Sequence, residues 1–96
     1  MEHAVGPVLR MGDNVELVLR AIEDDNPGGG IEIIDRGSYV RVQRSKYLVL
    51  TRASLERHLG PGFKMHQVES MMSSFAGRIR TSTDQIVWQL KNSNGG

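Results

Sequence analysis

The sequence predicts an α+β fold of two β-α-β-β-like units that form antiparallel sheet packed with helices. Three observations predict it. Short runs rich in Val, Ile, Leu and Tyr lie between turns containing Gly and Pro. Stretches with apolar residues at helical spacing separate some of these runs. The order of elements then recurs, as β-α-β-β followed by β-α-α-β-β, although no residue-level repeat accompanies it.

Residues 5–10 read as a short strand interrupted by Gly6-Pro7, placed at a sheet edge because proline cannot donate to a ladder. Asp13 is a helix N-cap with Glu16 three residues on, the spacing of a capping box. Val15, Val18, Leu19 and Ile22 follow at i, i+3, i+4 and i+7, one apolar stripe, and Asn26-Pro27 with three glycines ends that helix. Residues 31–35, 38–43 and 46–51 read as strands reversed at Arg36-Gly37 and Arg44-Ser45. Val40 and Val42 alternate with Tyr39, Arg41 and Gln43, as in a half-buried antiparallel strand. Residues 51–59 form a short helix stopped by Gly60-Pro61-Gly62. A helix over 65–76 carries Met65, Val68, Met72 and Phe75 within a narrow arc, with Met71 beside them and Gly77 as its C-terminal cap. Residues 78–81 and 85–90 make a hairpin around Ser82-Thr83-Asp84, with Ile86, Trp88 and Leu90 on its inner face.

Ninety-six residues hold one domain, expected over 1–91, with 92–96 as a flexible C-terminal tail. The length excludes the large catalytic scaffolds. The absence of cysteine excludes thiolate nucleophiles, disulfides and cysteine-ligated clusters. No apolar run is long enough to span a membrane, so a cytoplasmic protein without membrane attachment is expected. The net charge of +1 is a cancellation. Residues 1–35 hold eight acids against two bases, net −6, and residues 36–96 hold ten bases against three acids, net +7. Such polarity suits orientation toward a large partner better than bulk affinity for nucleic acid or membrane.

Catalytic chemistry finds little support. His3, His58 and His66 lack the spacing that puts two imidazoles on one helix face and read as surface residues. Asp24 and Asp25 diverge by about 100° on a helix and read as solvated charges. The glycine clusters fit neither phosphate-loop pattern and read as turns. A basic sheet face of Arg36, Arg41, Arg44 and Lys46 with Tyr39 and Tyr47 gives the alternative reading, a small nucleic-acid-binding α+β domain. It lacks the aromatic consensus of RNA-binding sheets, so a solvated or protein-docking face is favoured. Met71 and Met72 span more arc than a small core needs, which predicts that one is exposed at an interface. The small residues Ser73, Ser74, Ala76 and Gly77 around Phe75 make this segment the expected contact surface.

An ordered series of fragments then carries a resemblance. It comprises Val5-Gly6-Pro7-Val8-Leu9-Arg10, Gly12-Asp13, Asp25-Asn26-Pro27-Gly28, Asp35-Arg36 and Tyr39-Val40-Arg41. It continues with Leu50-Thr51-Arg52, Leu55-Glu56, Leu59-Gly60, Ser74-Phe75-Ala76-Gly77-Arg78-Ile79 and Asp84-Gln85-Ile86. From about residue 5 to 90 the chain resembles the effector (coupling or regulatory) proteins of bacterial multicomponent diiron monooxygenases, above all the toluene and alkene monooxygenase branch. Lys64 departs from expectation, since lysine is a poor helix cap. The resemblance implies a monooxygenase regulatory protein-like fold with no cofactor, no metal and no catalytic residue of its own. It implies an effector that binds a diiron hydroxylase oligomer, tunes oxygen activation, coupling and regiospecificity, and competes with a ferredoxin or reductase for hydroxylase surface. The protein is expected to be a monomer when free. Contacts are expected from Asn26, Pro27, Arg36, Tyr39, Met71, Met72, Ser74, Phe75, Ala76, Gly77 and Arg78.

Overall fold

In the computed structural model, which describes residues 2–90, the elements run β1 (Ala4–Arg10), α1 (Val15–Asp25), β2 (Glu32–Asp35), β3 (Tyr39–Ser45), β4 (Tyr47–Thr51), α2 (Arg52–Leu59), α3 (Met65–Met71), β5 (Met72–Ala76), β6 (Arg78–Thr81) and β7 (Gln85–Gln89). The tail expected at 92–96 lies outside the described residues. Two antiparallel sheets form, ordered β2-β3-β1-β5 and β4-β7-β6. Without β5, both sheets share one topology: first strand, helix, then a hairpin whose last strand pairs with the first. The two-unit reading therefore holds for the sheets, and β5 is an extra strand that the second unit lends to the first sheet.

One core fills the space between sheets and helices. Val5, Leu9, Val40 and Val42 meet Leu48, Leu50, Ile86 and Trp88, with Val15, Val18, Ala21 and Ile22 of α1, Leu55 of α2 and Met65 and Val68 of α3. At about 25 cal/mol per Å² of apolar surface, this burial is the main force holding the two units together. Trp88 is fully buried, and its Nε1 is the only buried side-chain polar atom without a partner among the described residues.

Four local expectations are corrected. First, β1 is an interior strand between β3 and β5 rather than an edge. Its ladder to β3 pairs Ala4 and Val5, then resumes at Val8, skipping Gly6 and Pro7, so the missing proline donor breaks nothing. Gly6 has φ +142, and a Cβ there would sit 2.1 Å from the Val42 carbonyl oxygen, which no side chain allows. Second, Asn14 rather than Asp13 occupies the N-cap of α1, at φ −99 and ψ 0, without a side-chain cap bond. A side-chain cap needs an extended residue there, so no capping box forms. Third, Arg44 and Ser45 end β3, and the chain turns at Lys46 with φ 73 before β4 departs into the other sheet. Fourth, the helix expected over 65–76 stops at Met71, and residues 72–76 are strand. Gly77, at φ +93, turns the corner from β5 to β6 instead of capping a helix, close against Gln89 and Val5.

Elsewhere the local chemistry acts as expected. Thr51 caps α2, its Oγ1 accepting from the Ser54 N–H at 3.2 Å, and Gly60 ends it. Lys64 does occupy the N-cap of α3. The missing side-chain acceptor is compensated by Gln67, whose Oε1 accepts from the Lys64 N–H at 2.8 Å.

Candidate docking surface

Each sheet has two outer strands, and the four are finished in three ways. β2 carries Glu32 and Asp35, and β6 carries Arg78 and Arg80, charges that discourage pairing with another chain. The outer side of β4 is closed by the end of α1. Val49 N–H donates to Asn26 Oδ1 at 3.1 Å and Asn26 Nδ2 donates to the Val49 carbonyl at 2.7 Å, imitating a strand partner. One turn earlier in α1, Asn26 Nδ2 also reaches the Ile22 carbonyl at 2.6 Å. Asp25 continues the closure, accepting from Thr51 N–H at 2.7 Å and from Ser54 Oγ at 2.6 Å. β5, with the sequence Met-Ser-Ser-Phe-Ala, has no charge and no proline, and among the described residues no such cap.

On β5, Ser73, Ser74 and Phe75 are exposed, Phe75 to 45%, the highest value among the described large hydrophobic residues. The strand pairs with β1 through Gly6↔Ala76, Pro7↔Phe75 and Val8↔Ser74, then slips by one residue to Leu9↔Met72. Ser73 is the extra residue of this bulge, and its hydroxyl reaches the Val8 carbonyl at 3.4 Å. Met71 and Met72 are both half-buried against the core, so neither is the exposed interface methionine expected from the sequence. With Ala76, the Gly77 corner and exposed Arg78, the segment from 71 to 78 is one continuous surface.

The other expected contact residues are placed apart. Tyr39 is opposite Arg10 at one end of the first sheet, with Arg36 in the adjoining turn, where Asp35 Oδ1 accepts from the Gly37 N–H at 2.8 Å. Arg44, at the other end, pairs in register with Val5 and ties down the loop after α1, donating to Asn26 Oδ1 and to the Pro27 carbonyl, both at 3.1 Å. The two ends are five residue pairs apart, about 17 Å. Asn26 is 2% exposed and all four of its hydrogen-bonding positions are used within the chain. It positions Pro27, which is exposed, and offers a partner nothing itself.

The adjacent acids also differ from expectation. Asp24 accepts from Arg57 Nη1 at 3.0 Å and lies 2.6 Å from His58 Nε2, joining α1 to α2. The His58 contact, reinforced by Arg57, holds the Asp24 carboxyl below its ordinary value. Neither acid is simply solvated, and His58 is not simply a surface histidine. The basic face of the nucleic-acid reading is divided: Tyr39 and Arg41 lie on β3, Tyr47 lies on β4 in the other sheet, and Arg44 is engaged with Asn26. A cavity of about 590 Å³ between α2, α3 and the β6–β7 turn is lined by Arg52, Lys64, Met65 and Glu69 among others, and includes none of the expected contact residues. No cluster of three or more potential metal ligands occurs among the described residues.

Two linked antiparallel sheets, one of them ending in the uncharged outer strand β5, and no cluster of three or more potential metal ligands among the described residues describe the arrangement. The sequence matches the MmoB/DmpM family over residues 3–89, and the chain belongs to that family. It is 43% identical to the effector subunit of an alkene monooxygenase system from Xanthobacter autotrophicus, over 95% of this chain and 90% of that one. The fold is similar to the regulatory protein in a phenol hydroxylase–regulatory protein complex, with a TM-score of 0.81, 24% identity and coverage of 92% and 99% of the two chains. It is also similar to the soluble methane monooxygenase regulatory protein B, with a TM-score of 0.70, 18% identity and coverage of 95% and 67%. The class is thus that of regulatory rather than catalytic monooxygenase components.

Proposed function

We propose that this protein docks through β5 and the Gly77 corner onto the hydroxylase of a multicomponent hydrocarbon monooxygenase and tunes its oxygen activation, coupling and regiospecificity. The observation that carries the docking face is the unfinished outer edge of β5 with Phe75 exposed upon it. Exposed backbone on such a strand takes a partner's chain or side chains, and an aromatic anchor supplies most of the energy. The relatives named above as an effector subunit and as a regulatory protein in complex with phenol hydroxylase support the assignment. As an effector, the protein acts by binding one hydroxylase conformation more tightly than another, a coupling of about 1–3 kcal/mol. Competition with a ferredoxin or reductase follows if their footprints overlap. A cytoplasmic monomer when free fits this role, and no described helix is long and apolar enough to cross a membrane.

Reconstitution tests the reading. Adding the protein to its hydroxylase and electron-transfer components is expected to change turnover, coupling and product distribution; no change in any of the three overturns it. Phe75→Ala is expected to keep the fold and weaken association at least tenfold. Equal activation by this variant and the parent would remove Phe75 from the interface.

A further inference from the structure

The segment from 65 to 76 is the place where local sequence and tertiary structure disagree. Met65, Val68, Met72 and Phe75 stand at i, i+3, i+7 and i+10, a single helical arc, and Gly77 already has the positive φ that terminates helices. The helix nevertheless stops at Met71. In a continued helix the Ser70 carbonyl would accept the Ser74 N–H. Here that carbonyl receives the guanidinium of Arg10, while Ser74 pairs with Val8. The Met72 N–H closes on the Glu69 carbonyl, a tightened last turn. Arg10 and Val8 belong to the same strand, β1, so one element both occupies the helix-propagating acceptor and offers the replacement ladder.

We infer that Arg10 is a positioning residue that selects strand over helix for residues 72–76 and thereby holds the docking edge in place; this rests on the docking role proposed for β5. Apart from the β1–β5 ladder and the packing of half-buried Met72, little in the structure favours one arrangement over the other. β5 leaves Ser73, Ser74 and Phe75 exposed, so its pairing buries little apolar surface. Ser73 and Ser74 are weak helix formers, which limits the helical alternative without forbidding it. In the helical arrangement Phe75 would share the arc of Met65 and Val68, which face the core, and the open edge would vanish. The segment is therefore a two-state element whose strand form is the docking-competent one.

Backbone Cα and Cβ chemical shifts of the full-length free protein test this. The parent is expected to show strand-type shifts over 72–76, and Arg10→Ala to move them toward helix, with Arg10→Lys between. Ser73→Ala with Ser74→Ala, in a chain that keeps Arg10, gives a second push in the same direction and is expected to produce a smaller movement. Arg10→Ala is expected to weaken hydroxylase binding about tenfold, and Ser74→Val added to it, a β-branched residue that favours strand, to return the shifts of 72–76 in the free protein toward strand. That rescue is not available if Arg10 merely touches the hydroxylase. Unchanged strand shifts in Arg10→Ala overturn the inference, as does a failure of Ser74→Val to restore them. Because the shifts are read without partner, they decide on Arg10 even if the parent fails to bind hydroxylase, an outcome that would remove only the docking reading.

Discussion

Strands β4 and β5 are both outer strands, and the chain treats them in opposite ways. β4 is sealed by two consecutive side chains at the end of α1, with Asn26 exchanging hydrogen bonds with Val49 and Asp25 accepting from Thr51. β5 carries no charge and, among the described residues, no cap. The sealed edge shows that this fold can finish a strand with its own side chains, which makes the unfinished one informative. Natural sheets protect open edges unless something pairs with them.

Removing the seal should have the largest effect. Asn26→Ala leaves the Val49 backbone, the Ile22 carbonyl and Arg44 without their partner, and a loss of about 3 kcal/mol in stability is expected. Urea unfolding followed through the buried Trp88 measures it; a loss below about 1 kcal/mol would mean that β4 is not sealed by this side chain. Adding protection to the open edge should act on binding instead. Ser74→Lys is expected to change stability by no more than about 0.5 kcal/mol and to weaken hydroxylase binding about tenfold, equivalent to about 1.4 kcal/mol. Binding equal to that of the parent would erase the functional difference between the two edges. The smallest effect belongs to Asp24, beside the sealed edge. Its carboxyl titrates below the ordinary 3.8 in the folded chain, so its stabilisation is complete above that value and is lost as pH falls through the folded one. Asp24→Asn should therefore flatten the acid limb of the stability curve below about pH 4, and an acid limb of unchanged steepness would assign the slope to other carboxyls.

What could be read in the sequence was what neighbouring residues decide among themselves. The apolar stripe of α1, the Val40 and Val42 alternation, the Thr51 cap and the hairpin around Ser82-Thr83-Asp84 all depend on spacings of a few residues. The misreadings share a different cause. Residues 72–76 follow a good helical pattern locally and are drawn into strand by a β1 partner some 65 residues earlier. Pro7 argues for an edge until Gly6 is seen to let the β3 ladder pass over the pair. Within the docking surface, Phe75 and the Gly77 corner were visible as composition. The burial of Asn26 and the role of Arg10 were not, because both depend on groups brought together by tertiary contacts.

The lent strand also sets an order of events during synthesis. β1 leaves the ribosome first, and β3 can cover one side of it soon after. Its other side waits for β5, which at ~5–20 residues per second arrives roughly 3–13 s later. Through that interval the nascent chain exposes a partly covered apolar strand, a target for chaperones and for intermolecular pairing. Completion of the first sheet therefore waits for the second half of the chain, and its closure couples the two units during folding.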